Sequence, residues 1–175
     1  MGIYLLRNIT NSVTINSGSI PLNNSLLKGG KMKIKTIMSQ NLYTVDPGST
    51  VKDAAGLMSK LRIGAVIVGT SQQIHGILSE RDIMNKVVAE GLLPEKTRVK
   101  DIMTKNVITI EQTQNTELAL RIMEDKAIRH LPVVDNMGNC LGMLGIRDIM
   151  RSMVESLESE NEALAQYLMA DGPGG

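Results

Sequence analysis

Two tetrapeptides carry the chemistry that stands out in this chain: Ser79-Glu80-Arg81-Asp82 and, 66 residues later, Gly145-Ile146-Arg147-Asp148. Each follows an apolar run, ending at Leu78 or Leu144, that reads as a strand, so each should open a helix. The free backbone N–H groups and positive end of such a helix favour an anion. An ionised Asp82 or Asp148 can accept two hydrogen bonds from a diol, and Arg81 or Arg147 beside it can pair with phosphate or with an acid such as Glu80. Arg129-His130, ahead of another apolar run, adds a bidentate cation and an imidazole that titrates near neutral pH. Ser79 with Asp82 is equally a Ser-x-x-Asp capping box, which forms at a helix start with no ligand present. Capping and anion binding are compatible uses of the same residues.

Catalysis finds little to work with. No Ser/His/Asp or Cys/His set recurs, no paired carboxylates stand beside a histidine, and Lys28-Gly29-Gly30-Lys31 lacks the spacing of a phosphate loop. The chain is not expected to be an enzyme. Cys140 is the only cysteine, so no intrachain disulfide can form, and Cys140, His75 and His130 lack metal-ligand spacing. Cys140 reads as inert core and His75 as half-buried strand packing.

The elements that must position these residues occur twice. A shift of 65 residues lays Lys35 on Lys100, Ile37-Met38 on Ile102-Met103, Thr44 on Thr109, Met58 on Met123 and Ile63 on Ile128. One extra residue in the second turn makes the shift 66, which lays Gly76 on Gly142 and Arg81-Asp82-Ile83-Met84 on Arg147-Asp148-Ile149-Met150. Each copy reads as β-α-β-β-α. An extended piece (Leu42 to Val45, or Val107 to Ile110) leads to an amphipathic helix with Val51, Ala54, Met58 and Leu61 on one side, capped by Thr50 and Asp53. Strands Ala65 to Val68 and Ile74 to Leu78 follow, matched by Leu131 to Val134 and Cys140 to Leu144. A unit of this size buries too little surface alone, so the copies should pack together about a pseudo-twofold axis. The fold class is α/β (α+β): 32–90 as the first repeat, 91–98 as a linker around Pro94, 99–154 as the second, and 155–175 as a helical extension and tail. That helix has Met150, Met153, Leu157, Leu164 and Leu168 along one side, near a heptad seam with Asn161 inside it, which fits either a cover for its own domain or a dimer contact.

The motifs resemble those of the cystathionine-β-synthase (CBS) domain family in its tandem form, the Bateman module. The resemblance runs from Lys33 to about Val154 and rests on Ile37-Met38-Ser39 and Ile102-Met103-Thr104, on Ile128-Arg129-His130-Leu131-Pro132-Val133-Val134-Asp135, and on the paired runs Gly76 to Asp82 and Gly142 to Asp148. It implies ligand sensing: an adenine nucleotide (AMP, ADP or ATP), or S-adenosylmethionine or NAD, held between the copies and regulating a partner protein, commonly in a homodimer. It implies that Ser79 offers its hydroxyl to phosphate and that Asp82 and Asp148 accept from the ribose diol. Thr44 and Thr109 match the family's first-strand position that lines the cleft. Gly145 stands where the second copy should have Ser79's hydroxyl, so the two clefts should differ. The expected ligand set is therefore Thr44, Ser79, Arg81, Asp82, Thr109, Arg129, His130, Arg147 and Asp148, with no metal and no obligatory cofactor. The alternative is an oligomerisation scaffold with vestigial clefts.

Composition narrows the partners. At 175 residues the chain is too short for an eight-fold α/β barrel of roughly 250. Without Trp or Phe, and with only three Tyr against twelve Met, it lacks the exposed rings on which single-stranded nucleic acid stacks. Residues 1–45 carry five basic side chains and no acid, which leaves 14 basic against 18 acidic, a net −4, for residues 46–175. A nucleic-acid grip is unfavourable for such a body, and Lys28 to Lys35 is the one basic segment that offers it. No apolar stretch approaches the ~20 residues that span a bilayer, so no membrane partner is expected. Residues 1–31 read as a leader or flexible appendage; a cytoplasmic protein is expected, with organelle import through this segment as the alternative.

Overall fold

The computed structural model describes residues 32–170, so the expected leader, residues 1–31, lies outside the described residues. The first repeat runs β1 (Thr44–Val45), α2 (Val51–Leu61), β2 (Ala65–Gly69), β3 (Ile74–Ser79) and α3 (Glu80–Ile83), which continues as a wider π-type turn over Met84–Val88. The second runs β4 (Ile110–Glu111), α5 (Thr116–Asp125), β5 (His130–Val134), β6 (Cys140–Gly145) and α6 (Ile146–Ala170). A single helical turn precedes each: α1 (Ile34–Ile37) and α4 (Val99–Ile102). The β-α-β-β-α expectation holds in both copies.

Each repeat makes one three-stranded sheet, in the order β1-β2-β3 or β4-β5-β6. β1 lies parallel to β2 across the helical crossover, and β3 returns antiparallel, with Thr44 opposite Ile67 and Val66 opposite Leu78. The middle strand is covered on both faces, which explains why Ala65, Val66, Ile67 and Val68 form an unbroken apolar run instead of an alternating one. Both crossover helices start on a side-chain cap: Thr50 Oγ1 accepts from Asp53 N at 3.1 Å, and the equivalent Asn115 Oδ1 accepts from Leu118 N at 3.0 Å. Equivalent residues past the two helices lie in the left-handed region: Arg62 (φ 54°), the cap of α2, and Ala127 (φ 51°), one residue beyond the Lys126 cap of α5. Neither is glycine, so each costs about 1–2 kcal/mol that the surrounding packing must offset.

The cores do not follow the repeat boundaries. Ile34 of α1 is fully buried among Ile110, Ile122, Leu131 and Ile149 of the second repeat, while Val99 and Ile102 of α4 are buried among Val51, Met58, Val66 and Leu78 of the first. Each unit thus completes its core with the opening helix of the other. Ile34 N donates to Gln114 O at 2.9 Å, and its counterpart Val99 N donates to Ser49 O at 3.0 Å. Beyond each helical turn the chain crosses the other unit's last strand. Ser39 and Met143 exchange backbone hydrogen bonds of 2.9 and 3.0 Å, and Thr104 and Ile77 exchange bonds of 2.9 and 3.0 Å. These pairs are equivalent under the repeat.

The crossings explain a glycine in each returning strand. A Cβ at Gly142 would stand 2.1 Å from the Ser39 carbonyl oxygen. One at Gly76 would meet Met103 Sδ at 2.7 Å and the Thr104 carbonyl oxygen at 2.9 Å. A methionine tip can move where a hydrogen-bonded backbone cannot. Gly142→Ala is therefore expected to lower the calorimetric midpoint more than Gly76→Ala, the former by about 1–3 kcal/mol as for other overpacked sites. An equal or smaller loss at position 142 would show that this crossing has slack.

Candidate functional site

Where the opening segments cross the returning strands, two clefts form, related by the same pseudo-twofold. One, of about 320 Å³, lies between the start of α3 and the Thr104 to Ile108 and Lys126 to His130 segments of the other unit. The other, of about 360 Å³, lies between the start of α6 and the Asn41 to Tyr43 and Arg62 to Ala65 segments. They are called here the Asp82 cleft and the Asp148 cleft. Asn41 and Asn106, Ile63 and Ile128, and Arg81 and Arg147 occupy matching places in them. Of the nine residues expected to bind ligand, Ser79, Arg81, Asp82, Arg129, His130, Arg147 and Asp148 come together at these walls, with Arg129 and His130 facing both.

Thr44 and Thr109 are not among the residues at the walls of the two clefts. Thr44 is exposed within β1 and Thr109 is buried, while Leu42, Tyr43, Val107 and Ile108 line the walls just before them. The extended segments lie against the clefts earlier than the sequence match suggests. His75 is likewise exposed, not half-buried. Cys140 is buried as expected, and burial raises its thiol pKa, which keeps it protonated.

The Asp82 cleft is internally saturated. Ser79 and Asp82 form the reciprocal capping box: Asp82 Oδ2 accepts from Ser79 N at 2.9 Å and from Ser79 Oγ, and Ser79 Oγ accepts from Asp82 N at 3.2 Å. The other oxygen, Oδ1, accepts from Lys86 Nζ at 2.6 Å and from Thr104 Oγ1 at 3.2 Å. Burial alone would raise the Asp82 pKa, but the hydrogen bonds from Lys86 and Ser79 and the Lys86 charge overcome it and hold the carboxyl below its usual range. Arg81 is engaged too, donating to the Ala127 carbonyl at 2.7 Å. A diol entering here must displace Lys86 or Thr104.

The Asp148 cleft is the reverse. Asp148 keeps only half of the capping box, accepting from Gly145 N at 2.9 Å through Oδ2, so Oδ1 has no donor among the described residues. The place of Lys86 falls to Ser152, buried and turned back onto the Ile149 carbonyl at 2.8 Å. Arg62, Arg129, Arg147 and Arg151 converge on the walls with Glu80 as the only other acid, and no described residue accepts a hydrogen bond from any of the four guanidinium groups. Without counterparts of the Lys86 and Thr104 donors, the Asp148 carboxylate is left more open than that of Asp82. Sequence reasoning missed Arg62 and Arg151. Arg62 arrives through a left-handed helix end that no sequence signal announced, whereas Arg151 lies one turn after Arg147 and could have been read from helical spacing.

His130 stands between the clefts, its ring against Gly64, where a Cβ would come within 2.8 Å of Cε1. Burial first, and the Arg129 charge second, push its pKa down against the opposing pull of Glu80 and Asp148. The imidazole is neutral at pH 7.

This chain belongs to the CBS domain family: the model of that domain matches residues 34–89 and 99–155, one match for each repeat. Among its relatives is the mitochondrial CBS domain-containing protein CBSX3 of Arabidopsis thaliana, 36% identical over 124 residues, which are 68% of this chain and 60% of that one. Among solved structures it is similar to the CBS-domain containing protein ATU1752 of Agrobacterium tumefaciens, with TM-score 0.65 and 30% identity over 69% of this chain and 98% of that one. It is also similar to the CBS domain pair of protein MJ0100, solved in complex with 5′-methylthioadenosine and S-adenosyl-L-methionine, with TM-score 0.65 and 25% identity over 72% of this chain and 98% of that one. Among the described residues no helix is long and apolar enough to cross a membrane, and no cluster of His, Cys, Asp and Glu could hold a metal ion.

The His130 environment fixes a pH dependence. The unfolded chain takes up a proton near pH 6.5, whereas the folded protein resists it, so the histidine's contribution to stability is complete above that pH and is lost as pH falls through it. Asp82 acts in a separate, more acidic window, because its folded carboxyl lies below the ordinary value. Denaturant titrations at pH 7 and pH 5 should show the wild type losing stability between them and His130→Gln losing less. Equal losses would show that His130 is not resisting protonation.

Proposed function

We propose that this protein is a regulatory module, not an enzyme, which senses an adenosine-containing ligand in the clefts between its repeats and passes the occupancy to a partner protein. The Asp148 cleft is the principal site. The observation that carries this is the juxtaposition there of an open carboxylate oxygen with four arginines that have no acceptor among the described residues. A ribose diol would satisfy Asp148, and the arginines would take a di- or triphosphate better than a single phosphate, since guanidinium groups bind phosphate oxygens in pairs. The ligand class thus narrows from AMP, ADP and ATP toward the last two. S-adenosylmethionine, which MJ0100 holds, and NAD would use Asp148 but leave some of the arginines unpaired. Ligand can bias the relation of the repeats only through unequal affinity for two arrangements, and α6, whose first turn forms a wall of the cleft, is the element placed to report it.

A second reading, an assembly scaffold with vestigial clefts, is favoured by one observation: Lys86 and Thr104 already satisfy Asp82. It applies to that cleft and not to the other.

Thermal midpoints measured against AMP, ADP, ATP, S-adenosylmethionine, NAD and guanosine nucleotides separate the readings. Ligand at about 100 times its dissociation constant adds about 2.7 kcal/mol, a shift of roughly 5–10 °C for a domain of this size. ADP and ATP are expected to give the largest shifts. Asp148→Asn should weaken binding by about tenfold or more, and Asp82→Asn should change it far less. No shift with any of these ligands, in folded protein freed of bound nucleotide, would leave the scaffold.

A further inference from the structure

α6 outlasts the domain it covers. From residue 157 to residue 169 every side chain is exposed, and a helix of about that length is marginal in water unless it packs on something. One side of it is apolar: Met150, Val154, Leu157, Leu164 and Leu168 are 53–73% exposed. Met153, which the sequence placed in this seam, packs instead on the core of its own domain, so Val154 takes its place. The row Met150, Val154, Leu157, Asn161, Leu164, Leu168 then advances by alternate steps of four and three residues, an unbroken heptad pattern.

We propose that this row pairs with the same row of a second copy of the chain, forming a parallel, two-stranded coiled coil. Val154, Asn161 and Leu168 occupy the a positions, and Met150, Leu157 and Leu164 the d positions. Val154 at a with Leu157 at d, and the polar Asn161 at the next a, favour two strands. Asn161 sets the orientation. In a parallel, in-register pair it faces the Asn161 of the other copy and the two amides hydrogen-bond. In an antiparallel pair an a residue faces a d residue, so each amide would be buried against Leu157 or Leu164 with no partner. The charges agree with the parallel arrangement. Residues 152–168 contain four glutamates and no basic side chain, so a poor register would set acid against acid. In the parallel pair Glu160 at g lies across from Ala165 at e, and Glu158 at e lies across from Met153 at g, while Glu155 and Glu162 fall on the outside. The self-matching asparagine and the neutral edges call for an identical helix, not a foreign one. This assembly stands independently of any ligand in the clefts.

The test uses the full chain. Light scattering and sedimentation equilibrium should give a dimer for the wild type, and Leu157→Glu with Leu164→Glu should raise its dissociation constant by at least about a hundredfold. Both sites project beyond the folded body, so the thermal midpoint of the domain should survive, which separates lost pairing from lost folding. Orientation is read from Leu157→Cys in a Cys140→Ser background. A d-position thiol meets its own copy only in a parallel register, so mild oxidation should give a disulfide-linked dimer. An unchanged mass for the glutamate variant, or no disulfide in the cysteine variant, would overturn the proposal.

Discussion

Four backbone hydrogen bonds at two chain crossings hold this molecule in its form. At Ser39 with Met143 and at Thr104 with Ile77, the segment that opens one repeat lies against the last strand of the other. Nothing larger than glycine fits at the strand residue beside the first crossing. Once the crossings are made, the buried helical turns of α1 and α4 follow, because each is carried into the opposite core by the chain that continues into the crossing. Burying Ile34 and Val99 completely contributes about 1.5–3 kcal/mol each. The clefts are a by-product of the same geometry, since Ser39 and Thr104 belong to their walls.

The pseudo-symmetry of the backbone is not carried over to the charges. One carboxylate is closed by a lysine a turn away in its own helix; the other keeps an oxygen without a donor among the described residues, in a cleft whose walls carry four arginines. Converging arginines without acceptors repel one another, and the folded state tolerates them because their heads remain in solvent, where the repulsion is screened. An anion that enters the cleft removes that repulsion while gaining its own hydrogen bonds. The first-repeat helix start has the better cap, and the second has the better electrostatic readiness for a ligand. A single replacement, Ser79 in one copy against Gly145 in the other, accounts for part of this. The exchange of Lys86 for Ser152 accounts for more.

Much of the fold was legible because its signals are local. The 65- and 66-residue shifts, the Thr50 cap, the apolar run that ends at Leu78 and the continuous apolar run of β2 all lie within a few residues of the structure they specify. The exchange of α1 and α4 was not legible. Ile34 and Ile37 look like the start of the first repeat, and nothing in their neighbourhood says that their partners are Ile110 and Ile149. The site was half legible for the same reason. Asp82, Asp148 and Arg129 follow from motif and helix start, whereas Arg62 depends on a left-handed residue and the Lys86 contact on a four-residue helical spacing that no motif marks. Matching Thr44 to Thr109 across the repeats reports equivalence, not which way a residue faces.

The exchange of opening helices also bears on how the protein is made. A ribosome delivers the chain from the N-terminus at about 5–20 residues per second, and α1 emerges first among the described elements, but the core that receives it includes Ile149 of α6. The first repeat in turn lacks Val99 and Ile102 until its neighbour has begun to appear. The first core is complete once residue 103 has been made, but the second needs Ile149, so the apolar turn α1 must wait, unburied, for more than a hundred residues of synthesis. The second repeat is therefore the later to close, and the apolar residues of α1 that fill it are the ones that depend longest on being kept from wrong partners.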